Sequence, residues 1–95
     1  MTGQYVFHDT VGEKEKAIFD YAMRKNVGVD FKPLAVASQI VSGVQYLFIC
    51  TGKEVALGAV TKLYIVEIFA KFQHSVAPQL EVTSIDELPI EKILN

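Results

Sequence analysis

The chain has no tryptophan, one cysteine, two histidines and three prolines in 95 residues. With Cys50 alone, no intramolecular disulfide can form. Small secreted domains usually depend on such staples, so a reducing compartment is expected. No Cys/His set stands at metal-ligand spacing, no glycine-rich loop could cradle a phosphate, and no nucleophile elbow is present. No cofactor, no metal and no enzymatic activity are therefore expected, and nothing in the sequence brings Cys50 together with a histidine. The start, Met1-Thr2-Gly3-Gln4, lacks a basic run and an apolar run, and no stretch is long enough to span a bilayer. That pattern predicts a cytoplasmic protein, with the mature form of a secreted one as the alternative. A basic excess is lacking too: net charge is −2 and the sequence pI about 5.6. The chain has no electrostatic footprint for a nucleic-acid backbone and no cationic amphipathic face for anionic lipid, so neither partner is expected.

What is present is a globular composition: 51% apolar and 21% charged residues, enough for one core and one domain over residues 1–95. Residues 4–8 form a short β-prone segment. Thr10 and Glu13 then have capping-box spacing, which predicts a helix over 11–26. Ala17, Ile18, Tyr21 and Ala22 share one face of it, widened by Phe19 and Met23. Asn26 and Gly28 tolerate a left-handed backbone and are expected to end it. The rest is β-prone, with strands expected over 34–42, 44–50, 63–73 and 79–84. Pro33 marks the start of the first of these or an edge position. In the third, Tyr64, Val66, Ile68, Ala70 and Phe72 form one apolar face, with Glu67, Lys71 and Gln73 opposite. Residues 51–62 are too long for a tight turn and either extend the strands or form an added loop. The tail from 86 opens with an acidic turn. Cys50 alternates in phase with Tyr46 and Phe48, as a buried small hydrophobe would. Strands joined by short links pair antiparallel, and one amphipathic helix is the only cover for their apolar face. The expected fold class is α+β, an antiparallel sheet wrapped around a single helix.

Between two of the predicted strands stands Gln39-Ile40-Val41-Ser42-Gly43, followed by Val44-Gln45-Tyr46. Three fixed letters of such a pentapeptide arise by chance in roughly one chain of this length in a hundred. Here they fall at a predicted hairpin tip after a single helix, which makes chance far rarer. The segment resembles the QxVxG hairpin of the cystatins. Ala17 to Lys25 (AIFDYAMRK) is similar to the helix of that family, 34–50 to its central hairpin and 68–84 to its last two strands. About three quarters of the chain aligns in order.

The resemblance implies a cystatin-like fold and a reversible, non-catalytic inhibitor of papain-like cysteine proteases. In that family the hairpin wedges into the active-site cleft, flanked by an N-terminal segment with a glycine and by a second hairpin loop. Carried over, the protease-binding residues are Gly3, then Gln39, Ile40, Val41, Ser42 and Gly43, then His74, Ser75, Val76, Ala77 and Pro78. The second loop stands where stefin-type members have Leu-Pro-Gly and secreted members Pro-Trp. With neither tryptophan nor disulfide, the chain is more similar to stefins. Gly43 is expected to supply the backbone angles of a tight tip and to let another backbone approach. Ile40 and Val41 offer stiff apolar surface. The alternative is an interaction module of the same fold that inhibits no protease, a monomer able to form a dimer by exchanging the central hairpin.

Overall fold

The computed structural model describes residues 4–71 and 79–89. The chain runs from a two-residue strand, β1 (Val6–Phe7), into a helix, α1 (Glu13–Ala22). Four long strands follow: β2 (Val29–Ile40), β3 (Gly43–Glu54), β4 (Thr61–Lys71) and β5 (Leu80–Leu88). They form one antiparallel sheet in the order β1-β2-β3-β4-β5, so each strand lies beside its neighbours in the chain. The α+β class and the antiparallel pairing agree with the sequence reading.

The helix is shorter than its sequence predicts at both ends. No side-chain hydrogen bond caps it: the N-cap is Gly12, not Thr10, in an extended conformation. The Glu15 carboxylate leans back over Gly12, so close that a Cβ there would lie 2.7 Å from it. Glu13 and Glu15 in the first turn complement the exposed amides by charge instead. Nor does a left-handed residue end the helix. Gly58 alone among the described residues has a positive φ, so neither Asn26 nor Gly28 serves that role. The chain leaves through successive turns, Met23 N–H to Phe19 O and Asn26 N–H to Met23 O.

The buried face of α1 is centred elsewhere than its periodicity predicts. Phe19 and Met23 are buried, Ile18 and Ala22 pack beside them, and Ala17 and Tyr21 face solvent. Phe19 stands edge-on to Phe48 at 4.9 Å, and Val36, Tyr46, Cys50, Val66 and Ile68 complete the core beneath the helix. A sheet beneath a helix selects the bulkiest residues at i and i+4, and here those are Phe19 and Met23.

The strands differ from their predicted bounds: β2 stops at Ile40, two residues short of 42, β5 starts at Leu80, and most of the other described ends run longer. β2 begins at Val29 and runs through Pro33, whose missing N–H is tolerated because β1 pairs only with Ala37 and Ser38 and leaves that part of β2 an edge. Leu34 bulges out between Pro33 and Ala35. Both expectations for 51–62 are met: the strands lengthen to Glu54 and from Thr61, leaving a loop at 55–60. The acidic turn expected from 86 is strand instead, with Asp86 beside Ile65 and Glu87 beside Tyr64. Glu87 reaches Lys62 at 3.5 Å, so the charge that suggested a turn caps an edge strand.

Cys50 is fully buried, and its Sγ lies 3.7 Å from the Tyr64 carbonyl oxygen. Burial pushes its thiol from an ordinary 9.0 up to about 11. The unfolded chain then releases this proton near pH 9 while the folded chain keeps it. Its contribution is intact below pH 9 and is lost as pH rises toward 11. Urea melts at pH 8 and pH 10.5 are expected to show an extra loss on the order of 1–2 kcal/mol relative to Cys50→Ala. Equal losses in the two proteins would show that the thiol is not the group responsible.

Candidate functional site

The Gln39–Gly43 segment closes the β2–β3 hairpin. Twelve-residue strands support it, paired from Val29↔Glu54 up to Ile40↔Val44. Val41 and Ser42 make the turn, and the Val41 N–H donates to Gly43 O at 3.0 Å. Ile40 is 63% exposed, Ser42 is exposed, and Gln39 and Val41 are half-buried. No charged side chain occurs from Gln39 to Val44, so a partner covering this tip would desolvate no ion of the loop.

Gly43 has a different role from the one its sequence suggests. Its φ is not positive, so the turn does not call on the backbone freedom of glycine. It is buried where β3 meets β4. An added Cβ would lie 2.5 Å from Ala70 O and under 3 Å from the Phe69 ring. The backbone that comes close to Gly43 is the chain's own β4, at Ala70 O.

Two further segments leave the sheet at this same end. β1 pairs Val6 with Ser38 and Phe7 with Ala37, so the chain ahead of it enters beside the tip. Gly43 pairs with Lys71, and Lys71 N–H donates to Gln79 O at 3.1 Å, so the β4–β5 connection departs there too. Gly3 lies outside the described residues, as do Phe72, Gln73, His74, Ser75, Val76, Ala77 and Pro78. Their described neighbours, Gln4, Lys71 and Gln79, belong to the end that carries the tip.

The sequence reading missed what anchors the N-terminal segment. The Tyr5 hydroxyl donates to Glu67 Oε1 at 3.2 Å, and Ser84 Oγ donates to Glu67 Oε2 at 2.8 Å. Partial burial, then the Glu67 charge, raise the Tyr5 phenol above its ordinary value, which keeps it a donor. Beside this pair, Gln45 Nε2 donates to Thr83 Oγ1 at 3.0 Å. These contacts lie on the sheet face away from α1, where Leu47, Ile49, Leu63, Ile65 and Phe69 are also only partly exposed. The signal in the sequence was Glu67 itself, the one charge within an otherwise apolar run from 63 to 70.

No protein-family model, curated protein or solved structure matches this chain. The reading of the site therefore rests on its own geometry. His8 Nε2 lies 2.9 Å from Ser38 Oγ, and Cys50 Sγ faces the Tyr64 carbonyl, so these two potentially reactive groups have separate partners. Among the described residues, no three His, Cys, Asp or Glu side chains come together as metal ligands. No helix among them is long and apolar enough to cross a membrane. Between Gln39 and Val44 the hairpin end carries no charged side chain, and exposed Lys71 stands beside it on β4.

Proposed function

We propose that this protein is a cystatin-like, reversible inhibitor of papain-like cysteine proteases, with the Gln39–Gly43 hairpin as the wedge. One observation carries the reading: the segment that resembles the QxVxG motif closes a long, register-locked hairpin, with Ile40 63% exposed beside the turn. Two others support it. The described residues that border the two flanking segments of the resemblance, Gln4, Lys71 and Gln79, belong to the same end of the sheet as that hairpin turn. A single helix between β1 and β2, with four further strands in sequential order, is also the arrangement a cystatin-like fold requires.

The mechanism follows from what the tip offers. It contains no electrophile and no charge, and the one thiol is buried in the core. Affinity must come from shape and apolar burial. A pre-organised interface of about 800 Å² per partner can reach nanomolar affinity because little freedom is lost on binding. The paired strands hold the wedge in place, and Tyr5–Glu67 ties the N-terminal segment beside it.

Binding to papain whose catalytic thiol carries a small blocking group is therefore expected to be within about tenfold of binding to the free enzyme. Surface-immobilised protease in both forms measures this directly. Removal of residues 1–4 is expected to speed dissociation and leave the melting temperature unchanged, because a terminal segment contributes to binding and not to the core. Complete loss of binding to the capped enzyme, or obligatory cleavage within 39–43, would replace the wedge with a substrate-like mechanism. Absence of binding to both forms would leave an interaction module of the same fold.

A further inference from the structure

The N-terminal segment is held with little apolar burial. β1 is two residues long, and both of its side chains are exposed, Val6 at 62% and Phe7 at 66%. A strand with so few buried contacts opens easily by itself. Its backbone anchors are two ladder pairs and the His8 N–H, which donates to Val36 O at 3.0 Å. Polar side chains add the rest: His8 Nε2 lies 2.9 Å from Ser38 Oγ, and the Tyr5 hydroxyl donates to Glu67 Oε1 at 3.2 Å.

The Tyr5 contact has the longer reach. β2 and β3 lie between β1 and β4, so the Tyr5 side chain crosses two strands on the face away from α1. Ala37, Leu47, Glu67 and Ser84 stand in register across that face. Ala37 is fully buried in this row yet lies outside the core cluster beneath α1, as a small residue under a crossing side chain would. Glu67 is itself fixed. Ser84 Oγ donates to its Oε2 at 2.8 Å, and Thr83 Oγ1 donates to its backbone O at 3.2 Å while accepting from Gln45 Nε2 at 3.0 Å. The carboxylate is therefore placed by β3, β4 and β5, independently of the N-terminal segment. A hydrogen bond to an ionised acceptor is stronger than a neutral one.

We propose that Glu67 is a positioning residue for protease binding, acting through the Tyr5 hydroxyl to fix where the N-terminal segment leaves the sheet. This role rests on the protein being the inhibitor proposed for the hairpin, and it names the residue that pre-orders a segment flanking that hairpin. With Tyr5 held, the part ahead of it is Met1 to Gln4, an extended reach of about 14 Å. Its root stands one step beyond the Val6↔Ser38 pair, level with Gln39 at the start of the motif. So short a segment can reach only what its root allows. With Tyr5 released, the segment must be ordered at the moment of binding, and the cost appears as faster dissociation.

Dissociation from immobilised papain tests this. Tyr5→Phe and Glu67→Leu should each speed it about tenfold, the worth of one charge-assisted hydrogen bond. Association rates should be unchanged and melting temperatures not lowered, because Glu67 lies outside the core. The double variant should dissociate no faster than either single one, since both remove the same contact. Glu67→Gln keeps a carbonyl acceptor for Tyr5 and should restore most of the lifetime. In a chain lacking residues 1–5, Glu67→Leu should have no further effect. Hydrogen exchange of the His8 amide in the free protein reads the anchor without a protease, and should be about tenfold faster in Tyr5→Phe and Glu67→Leu. Unchanged exchange, unchanged dissociation, or an equal effect of Glu67→Leu in the truncated chain overturns the proposal. A natural chain that does not bind papain, with His8 exchange still responding, overturns the inhibitor reading and leaves the anchoring of Tyr5 by Glu67 upheld.

Discussion

Papain titrated with this protein is expected to lose its activity at sub-micromolar inhibitor, and Ile40→Asp is expected to raise the inhibition constant about a hundredfold. Ile40 is 63% exposed at the end of β2. It contributes little to the core, and its replacement should move the melting temperature by only a few degrees. In a cleft it would be an apolar anchor surrounded by protein. A carboxylate there would have to be buried without a partner, and truncation of a central anchor alone commonly costs about 2–4 kcal/mol. A loss of about 2 kcal/mol corresponds to roughly thirtyfold, and the desolvation of aspartate adds to that. The split between readouts is the informative part: large in inhibition, small in stability. An unchanged inhibition constant for Ile40→Asp would remove the hairpin from the interface. No inhibition by the natural chain at micromolar concentration would remove the function itself.

Gly43→Val is expected to show the opposite split. From the motif alone, a bulky residue here should weaken binding by more than it lowers stability. The structure reverses that expectation. A Cβ at this position would lie 2.5 Å from the Ala70 carbonyl oxygen and against the Phe69 ring. The ring can turn aside, but the backbone oxygen belongs to the β3–β4 ladder and can move only if the strands part. Overpacking of this kind typically costs about 1–3 kcal/mol, and a β-branched residue against a carbonyl should fall at the upper end. A urea midpoint lowered at constant slope would measure it. Gly28→Val is the control, since nothing lies within 4 Å of a Cβ added there. Equal midpoints for the two variants would show that β3 and β4 can separate at Gly43 at little cost. Any loss of inhibition by Gly43→Val must then be read against its loss of fold, and Gly43 gives no direct evidence of a protease contact.

Local chemistry was legible where one pattern dominated its surroundings. The alternation of Tyr64, Val66, Ile68 and Ala70 identified the inner face of β4, because a strand has a period of two and a sheet has one covered side. Cys50 was legible as a core residue for the same reason. The run around Glu67 was harder. Leu63, Ile65 and Phe69 are apolar on the outer face as well, and only the hydrogen bonds from Tyr5 and Ser84 explain why a glutamate stands among them.

Among the described residues, the sequence by itself determined the number and kind of the elements and the place of Gln39–Gly43 between two strands. Periodicity and turn chemistry are local and survive any arrangement of the chain. Tertiary structure decided the remainder. The capping box at Thr10–Glu13 was overridden as Val11 packed against the core, because burying a β-branched side chain competes with a single side-chain cap of about 1 kcal/mol. The helix turned Phe19 and Met23 inward in place of Ala17 and Tyr21, since the sheet beneath it has room for the larger pair. Gly43 became a residue of close approach because Ala70 lies across from it, and the pairing that brings β4 there is set over whole strands.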